Sequence, residues 1–250
     1  MANLCVCLNS PIKYSQRERK YLRSFASAIR ANRRRKLMTY DSSAGQIVIL
    51  NGAPRSGKSS IANTIQEHFD GPWMNLGVDT YNDMTPERYL PGIGLRPGGE
   101  RPDLEEMVPF FYAALYESIA IHAGLGLNVV ADLGHHDSYS RPLGILSDCA
   151  RRLEGLPVLF VGVKCPIKVI MKRRNIPAPG RHTLYVRADE HDAVPHPVQL
   201  WQEQVHIPGI YDLEVDTSVL TPFECAEAIR QRLDLGIPEP SAFERIAAMR

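Results

Sequence analysis

The sequence predicts an α/β fold, a parallel β-sheet covered by helices on both faces. Three observations predict it. Short apolar runs alternate with segments of helical period from residue 46 to residue 235. Strands buried on both faces of a parallel sheet read this way. The first apolar run leads into a glycine-rich loop and then a helical segment. The chain has 250 residues and 44% hydrophobic content, enough for one core domain of roughly 200 residues plus an appendage.

The elements follow in order. Residues 1–44 form a basic N-terminal appendage, flexible or helical. Residues 1–45 carry ten Lys and Arg against two Asp and Glu, while the remaining 205 carry 19 against 26. An overall charge of +1 thus hides a basic arm on an acidic body. Arg33, Arg34, Arg35 and Lys36 give the arm a face for nucleic acid or targeting. The alternatives are a solvated helix, or a stretch upstream of a start at Met38. The core domain is placed at 45–236. Its strands are expected at 46–51 (QIVILN), 73–80 (WMNLGVDT), 128–133 (NVVADL), 157–165 (PVLFVGVKC) and 211–218 (YDLEVDTS). A helix follows the glycine-rich loop. A second is expected from Asp103 to Gly124 or Gly126, with Pro109 marking a kink or a later start. Further helices are expected at 141–154, 166–174, 196–206 and 221–235. Residues 81–102, rich in Pro and Gly, read as a long functional or mobile loop. The segment 237–250 is a tail that leaves the domain.

The composition excludes some classes. No run of 18 apolar residues exists, so no membrane span is expected. The first residues make a poor secretory signal. Cys5, Cys7, Cys149, Cys165 and Cys225 lack the spacing of a zinc site or a disulfide framework, which fits reduced thiols in a cytoplasm.

The stretch NGAPRSGKSS (51–60) carries the chemistry. Gly52-Ala53-Pro54-Arg55-Ser56-Gly57-Lys58-Ser59 matches the Walker A pattern, with a strand before it and a helix after it. The loop through Ser60 is expected to cradle nucleotide phosphates with backbone N–H groups at a helix N-terminus. Lys58 would reach the β- and γ-phosphates, and the Ser59 hydroxyl would ligate magnesium. No guanine-reading NKxD motif is present, and the core is as small as in kinases of small molecules.

Other residues fall at the same end of the sheet, where ligands gather. Asp79 is either a proton acceptor for an attacking hydroxyl or a strand-end carboxylate capping the next turn. Asp132 is placed as the carboxylate that meets magnesium after the third strand. His135 and His136 either line a pocket or are structural, and no metal site is assigned to them. Arg173, Arg174 and Arg181 fall where a lid would neutralise charge on the transferring group, or else mark an exposed helix end.

These motifs resemble the chloramphenicol phosphotransferase family of P-loop kinases. The resemblance rests on IVILNGAPRSGKSS, GVD (77–79), VGVKC (161–165) and VDT (215–217) and covers about residues 46–235. It implies a nucleotide-kinase type of P-loop NTPase fold with five parallel strands in the order 2-3-1-4-5. It also implies transfer of the ATP γ-phosphoryl group to a hydroxyl, with Asp79 as the base. The chain departs from the family in offering a single acid, Asp132, after the third strand. It departs also in its lid sequence, RRNIPAPGR, and in the segment 86–102, where the family builds its acceptor pocket. The expected acceptor is therefore an alcohol-bearing antibiotic or another metabolite. Two other readings stand beside this one: a toxin-type kinase of nucleotide sugars, and a nucleotide-binding regulatory protein without catalysis.

Overall fold

The computed structural model describes residues 44–175 and 194–249. The basic arm and Arg181 lie outside the described residues. Five parallel strands form one sheet in the order β2-β3-β1-β4-β5. They are β1 (Ile47–Asn51), β2 (Trp73–Asn75), β3 (Asn128–Leu133), β4 (Val158–Lys164) and β5 (Leu213–Asp216). The central strand β1 pairs Ile47 with Val129 of β3 on one side and with Val158 of β4 on the other. The order is the one the family resemblance implies.

Alternation along the strands builds two cores. Ile47, Ile49, Val129, Ala131, Val158 and Phe160 face one way. There they meet α4 (Val108–Gly124), α5 (Ile145–Arg152) and α9 (Ala242–Ala247). Val48, Leu50, Val130, Leu159 and Val161 face the other way, onto α1 (Lys58–His68) and α8 (Pro222–Asp234). A third cluster sits at the carboxyl end of the sheet. It joins Ala53 of the glycine-rich loop to Cys165, to α6 (Ile167–Asn175) and to α7 (His196–Gln204). Among the described residues no helix is long and apolar enough to cross a membrane.

Four expectations are corrected. The second strand ends at Asn75, whose side-chain oxygen accepts the Gly77 N–H at 3.1 Å and turns the chain. Residues after it form a short helix, α2 (Val78–Asp83). The segment 81–102 is ordered. It contains two 3₁₀ turns, Glu87–Tyr89 and Gly92–Gly94, and buries Ile93 and Leu95 in the core. The Tyr112 hydroxyl donates to the Ile93 carbonyl at 3.2 Å, and Gly98 N–H donates to the Ser138 carbonyl at 2.7 Å. The helix expected from Asp103 is two helices, α3 (Pro102–Glu105) and α4. Asp103 pairs with exposed Arg101 at 2.8 Å. Pro109 falls in the first turn of α4, where its missing N–H costs nothing.

The fourth correction concerns the tail, which returns to the body. Ser241 and Glu244 form a reciprocal capping box that starts α9. The Asp212 carboxylate accepts the Phe160 N–H at 2.9 Å and the Ala242 N–H at 2.6 Å, tying β4 to α9. Ala242, Phe243 and Ile246 are buried. Phe243 packs edge-on against Phe160 with ring centres 5.0 Å apart. Truncation of a buried aromatic leaves a cavity that costs about 3–5 kcal/mol. Phe243→Ala is therefore expected to lower the thermal midpoint by about 6–20 °C. Thermal unfolding followed by circular dichroism checks it, and an unchanged midpoint would mean that the tail does not pack.

Candidate active site

The loop between β1 and α1 is shaped by close backbone approach. A Cβ on Gly52 would stand 2.5 Å from the Val163 carbonyl oxygen, so only glycine fits beside β4. Gly57 caps α1 with φ 102°, in the left-handed region that glycine enters without steric cost. Between them Arg55 holds φ 71°, a left-handed conformation uncommon for a residue with a side chain. Ala53 and Ser56 are buried, Pro54 is half-buried, and Ser60 is exposed on the first turn of α1.

Lys58 is turned inward. Its ammonium donates to the Gly52 carbonyl at 2.8 Å and the Ala53 carbonyl at 3.0 Å. Burial pushes its pKa down to about 8, opposed by the charges of Asp132 and Asp79. Next to it, the Ser59 hydroxyl donates to the Asp132 carboxylate at 2.6 Å. Burial raises the Asp132 pKa, while Lys58 and the Ser59 hydroxyl act against the rise and the Asp79 charge adds to it. Asp132 sits one residue before the end of β3, level with Leu50 of β1.

Asp79 lies in the first turn of α2, half-buried, and not at a strand end. The turn at Asn75–Gly77 brings it there. A Cβ on Gly77 would stand 1.7 Å from the Asp132 carboxylate oxygen, so the second strand's exit rests directly on the third. Lys58, Asp132 and Asp79 thus lie near enough, at the carboxyl end of the sheet, for both carboxylate charges to act on the ammonium.

Two of the three arginines singled out in the sequence lie among the described residues. Arg173 and Arg174 belong to α6, packed on the body, and Arg174 is only 6% exposed. Arg173 donates to the carbonyls of Ser56 and Thr217 at 3.2 and 2.6 Å. Neither arginine is an exposed helix-end cation of the kind considered above.

His135 and His136 do not line an open pocket. His135 is buried between Tyr112 and Tyr116, its Nε2 2.7 Å from the Tyr116 hydroxyl. His136 Nε2 bonds the Leu95 carbonyl at 2.8 Å, and its ring packs on Tyr139 and Trp201. Burial pushes the His135 pKa down to about 3. An unfolded histidine titrates near 6.5, so below that pH the unfolded state takes up a proton that the folded state refuses. Stability is therefore fully present above pH 6.5 and falls as pH drops toward 3. The expected loss from this residue is about 1.4 kcal/mol per pH unit. Denaturant unfolding at pH 7 and pH 5 checks it, and equal stabilities would contradict a neutral buried His135.

Sequence reading missed Asn51, the polar end of an otherwise apolar strand. Its amide donates to the Val205 carbonyl at 2.7 Å and the Tyr211 hydroxyl at 2.9 Å, and its oxygen accepts the His135 N–H at 2.8 Å. It joins β1, the end of α7 and the segment after β3 directly beneath the loop. A single polar residue closing a run of IVIL was the available signal.

Comparison with known proteins bears on the fold and the family. A family model described as chloramphenicol phosphotransferase-like protein matches residues 45–234. A protein named "Putative O-phosphotransferase", found in two strains of Mycobacterium tuberculosis, is 27% identical over 216 residues, covering 81% of this chain and 88% of the relative. Among solved structures, a sugar kinase from Janibacter superposes with TM-score 0.51 at 18% identity, over 82% of this chain and 99% of that one. The Mycobacterium tuberculosis APS kinase in complex with AMPPNP and APS gives TM-score 0.52 at 17% identity, over 76% and 98%. Shikimate kinase from Acinetobacter baumannii gives 0.50 at 12%, over 76% and 93%. The sheet order, the phosphate-binding loop and the matched span lead to one conclusion: the chain is a P-loop protein of kinase fold and belongs to the chloramphenicol phosphotransferase-like family.

Proposed function

We propose that the protein transfers the γ-phosphoryl group of ATP, with magnesium, to a hydroxyl group of a small molecule. The observation that carries this reading is the Ser59–Asp132 contact of 2.6 Å, made by the residue next to Lys58 and within the field of Asp79. A hydroxyl and a single carboxylate are hard oxygen donors that suit magnesium, which keeps water and substrate phosphates as its other ligands. Among the described residues no cluster of three His, Cys, Asp or Glu forms a protein-only metal cage. Ser59 and Asp132 would hold the ion. Magnesium, when bound, neutralises phosphate charge and fixes phosphate oxygens.

The other residues have separable tasks. Lys58 is a cation at the mouth of the loop, protonated at neutral pH and poised to leave two carbonyls for phosphate oxygens. The N–H groups at the start of α1 offer the positive end of a helix to anionic oxygen. Asp79 accepts the proton of the attacking hydroxyl. Its place in α2, beside the ordered segment 86–102, sets the acceptor's side of the site. The name of the mycobacterial relatives supports an oxygen acceptor, and alcohol-bearing antibiotics such as chloramphenicol head the panel to be tried. The test is ADP release from ATP and magnesium with and without hydroxylated acceptors. Acceptor-dependent release is expected. Release indifferent to every acceptor would count against a transferase.

A further inference from the structure

We propose that Arg173 is a positioning residue that holds the phosphate-binding loop in shape through its main-chain carbonyls. This rests on the phosphotransferase reading of the site. The guanidinium reaches three parts of the chain at once. Nη2 donates to the Thr217 carbonyl at 2.6 Å, and Nη1 donates to the Thr217 hydroxyl at 3.0 Å. Nη1 also meets the carbonyls of Ser56 at 3.2 Å and Arg55 at 3.4 Å, and the Cys165 sulfur at 3.4 Å. The Thr217 hydroxyl in turn donates to the Ser56 carbonyl at 2.6 Å. Ser56 O, Thr217 Oγ1 and Arg173 Nη1 thus close a triangle behind the loop. A planar fork with several fixed donors suits this task, and a lysine ammonium does not.

The contact is reciprocal. The Arg55 guanidinium donates to the Arg173 carbonyl while Arg173 approaches the Arg55 carbonyl. Arg55 is the one residue other than glycine with positive φ among the described residues, at 71°. Such a conformation persists where its surroundings over-determine it, and the exchange with Arg173 supplies that constraint. Gly57, two residues on, is also left-handed, and a Cβ there would come within 3.3 Å of the Thr217 methyl and 3.5 Å of Arg173 Nη1. The clasp therefore lies flush against the loop.

Holding the Ser56 carbonyl has a consequence on the other side of the peptide. In a trans peptide the N–H of Gly57 points opposite to that carbonyl. Fixing the carbonyl toward Arg173 and Thr217 aims the N–H into the concave side of the loop, where a phosphate oxygen would bind. Arg173 acts on the nucleotide through the loop, and its charge adds to the field there without direct contact.

The experiment uses the full chain and two variants, Arg173→Gln and the isosteric Thr217→Val. Affinity for a fluorescent ADP analogue is measured together with amide hydrogen exchange of residues 52–60 in the nucleotide-free protein. Loss of charge-assisted hydrogen bonds is expected to weaken ADP binding by about 10- to 100-fold in Arg173→Gln. Thr217→Val is expected to give a smaller loss in the same direction. Both variants should exchange faster in the loop before any nucleotide is added. Arg173→Lys keeps the charge without the fork and should not restore affinity. Weaker binding with unchanged exchange would make Arg173 a direct ligand contact and overturn the proposal, as would faster exchange with unchanged affinity, or rescue by lysine. Failure of the unmodified protein to bind ADP would instead remove the phosphotransferase reading beneath it.

Discussion

Lys58→Ala is expected to lower acceptor-dependent phosphoryl transfer by at least about 10²- to 10³-fold, the range for losing one preorganised charge-stabilising group. The fold should survive. The lysine carries a charge that burial disfavours, as its depressed pKa of about 8 records, so deleting it removes a desolvation cost. Against this stands the loss of two hydrogen bonds to the Gly52 and Ala53 carbonyls. The two effects oppose each other, and the net change should be within about 1 kcal/mol, or about 2–4 °C in the thermal midpoint. Alanine also suits the first position of α1. Transfer kinetics beside a melting curve separate the outcomes. Near-native transfer would remove Lys58 from the phosphate site, and a collapsed midpoint would make it a structural residue.

Asp79→Asn is expected to leave acceptor binding nearly unchanged and to lower kcat by about 10²- to 10⁴-fold, the range for general acid–base catalysis. A loose phosphoryl-transfer transition state asks for little early deprotonation of the nucleophile, which favours the low end of that range. The competing role is local. Asp79 is the acidic residue in the first turn of α2, where a negative charge against the helix dipole is worth about 0.3–1 kcal/mol. A purely capping carboxylate would therefore change stability slightly and kcat not at all. A third outcome is separable, because the Asp79 charge favours the protonated form of Lys58. Acting only in that way, the substitution would show in KM for ATP. Steady-state kinetics with ATP varied at saturating magnesium and acceptor, beside a melting curve, distinguish the three.

Much of this was legible before the structure. The strands β1, β3 and β4 are buried on both faces, so their apolar runs announce themselves. The loop from Gly52 to Ser59 has a spacing dictated by backbone geometry around phosphates. What failed failed for physical reasons. Val78 and Thr80 are β-branched and extended the second strand on paper. The side chain of Asn75 captured the Gly77 N–H and ended it. The tail carries a capping box, Ser-Ala-Phe-Glu, whose start signal was present but set behind a proline-rich approach. The segment 81–102 looked like a loop because its composition is that of turns, while Ile93 and Leu95 anchor it. Arg173 shows only its charge in a sequence. Its partners are carbonyls of residues far away in the chain, and carbonyls carry no sequence signature.

The central claim is transfer of a phosphoryl group to a small hydroxyl at the Lys58–Ser59–Asp132–Asp79 centre. Its most direct test follows the γ-phosphorus of labelled ATP in the presence of magnesium and a panel of alcohols. The label is expected in a phosphate monoester of at least one acceptor with the unmodified protein, and to be lost from that product with Asp79→Asn. Label found only in inorganic phosphate, at the same rate whichever acceptor is present, would contradict it.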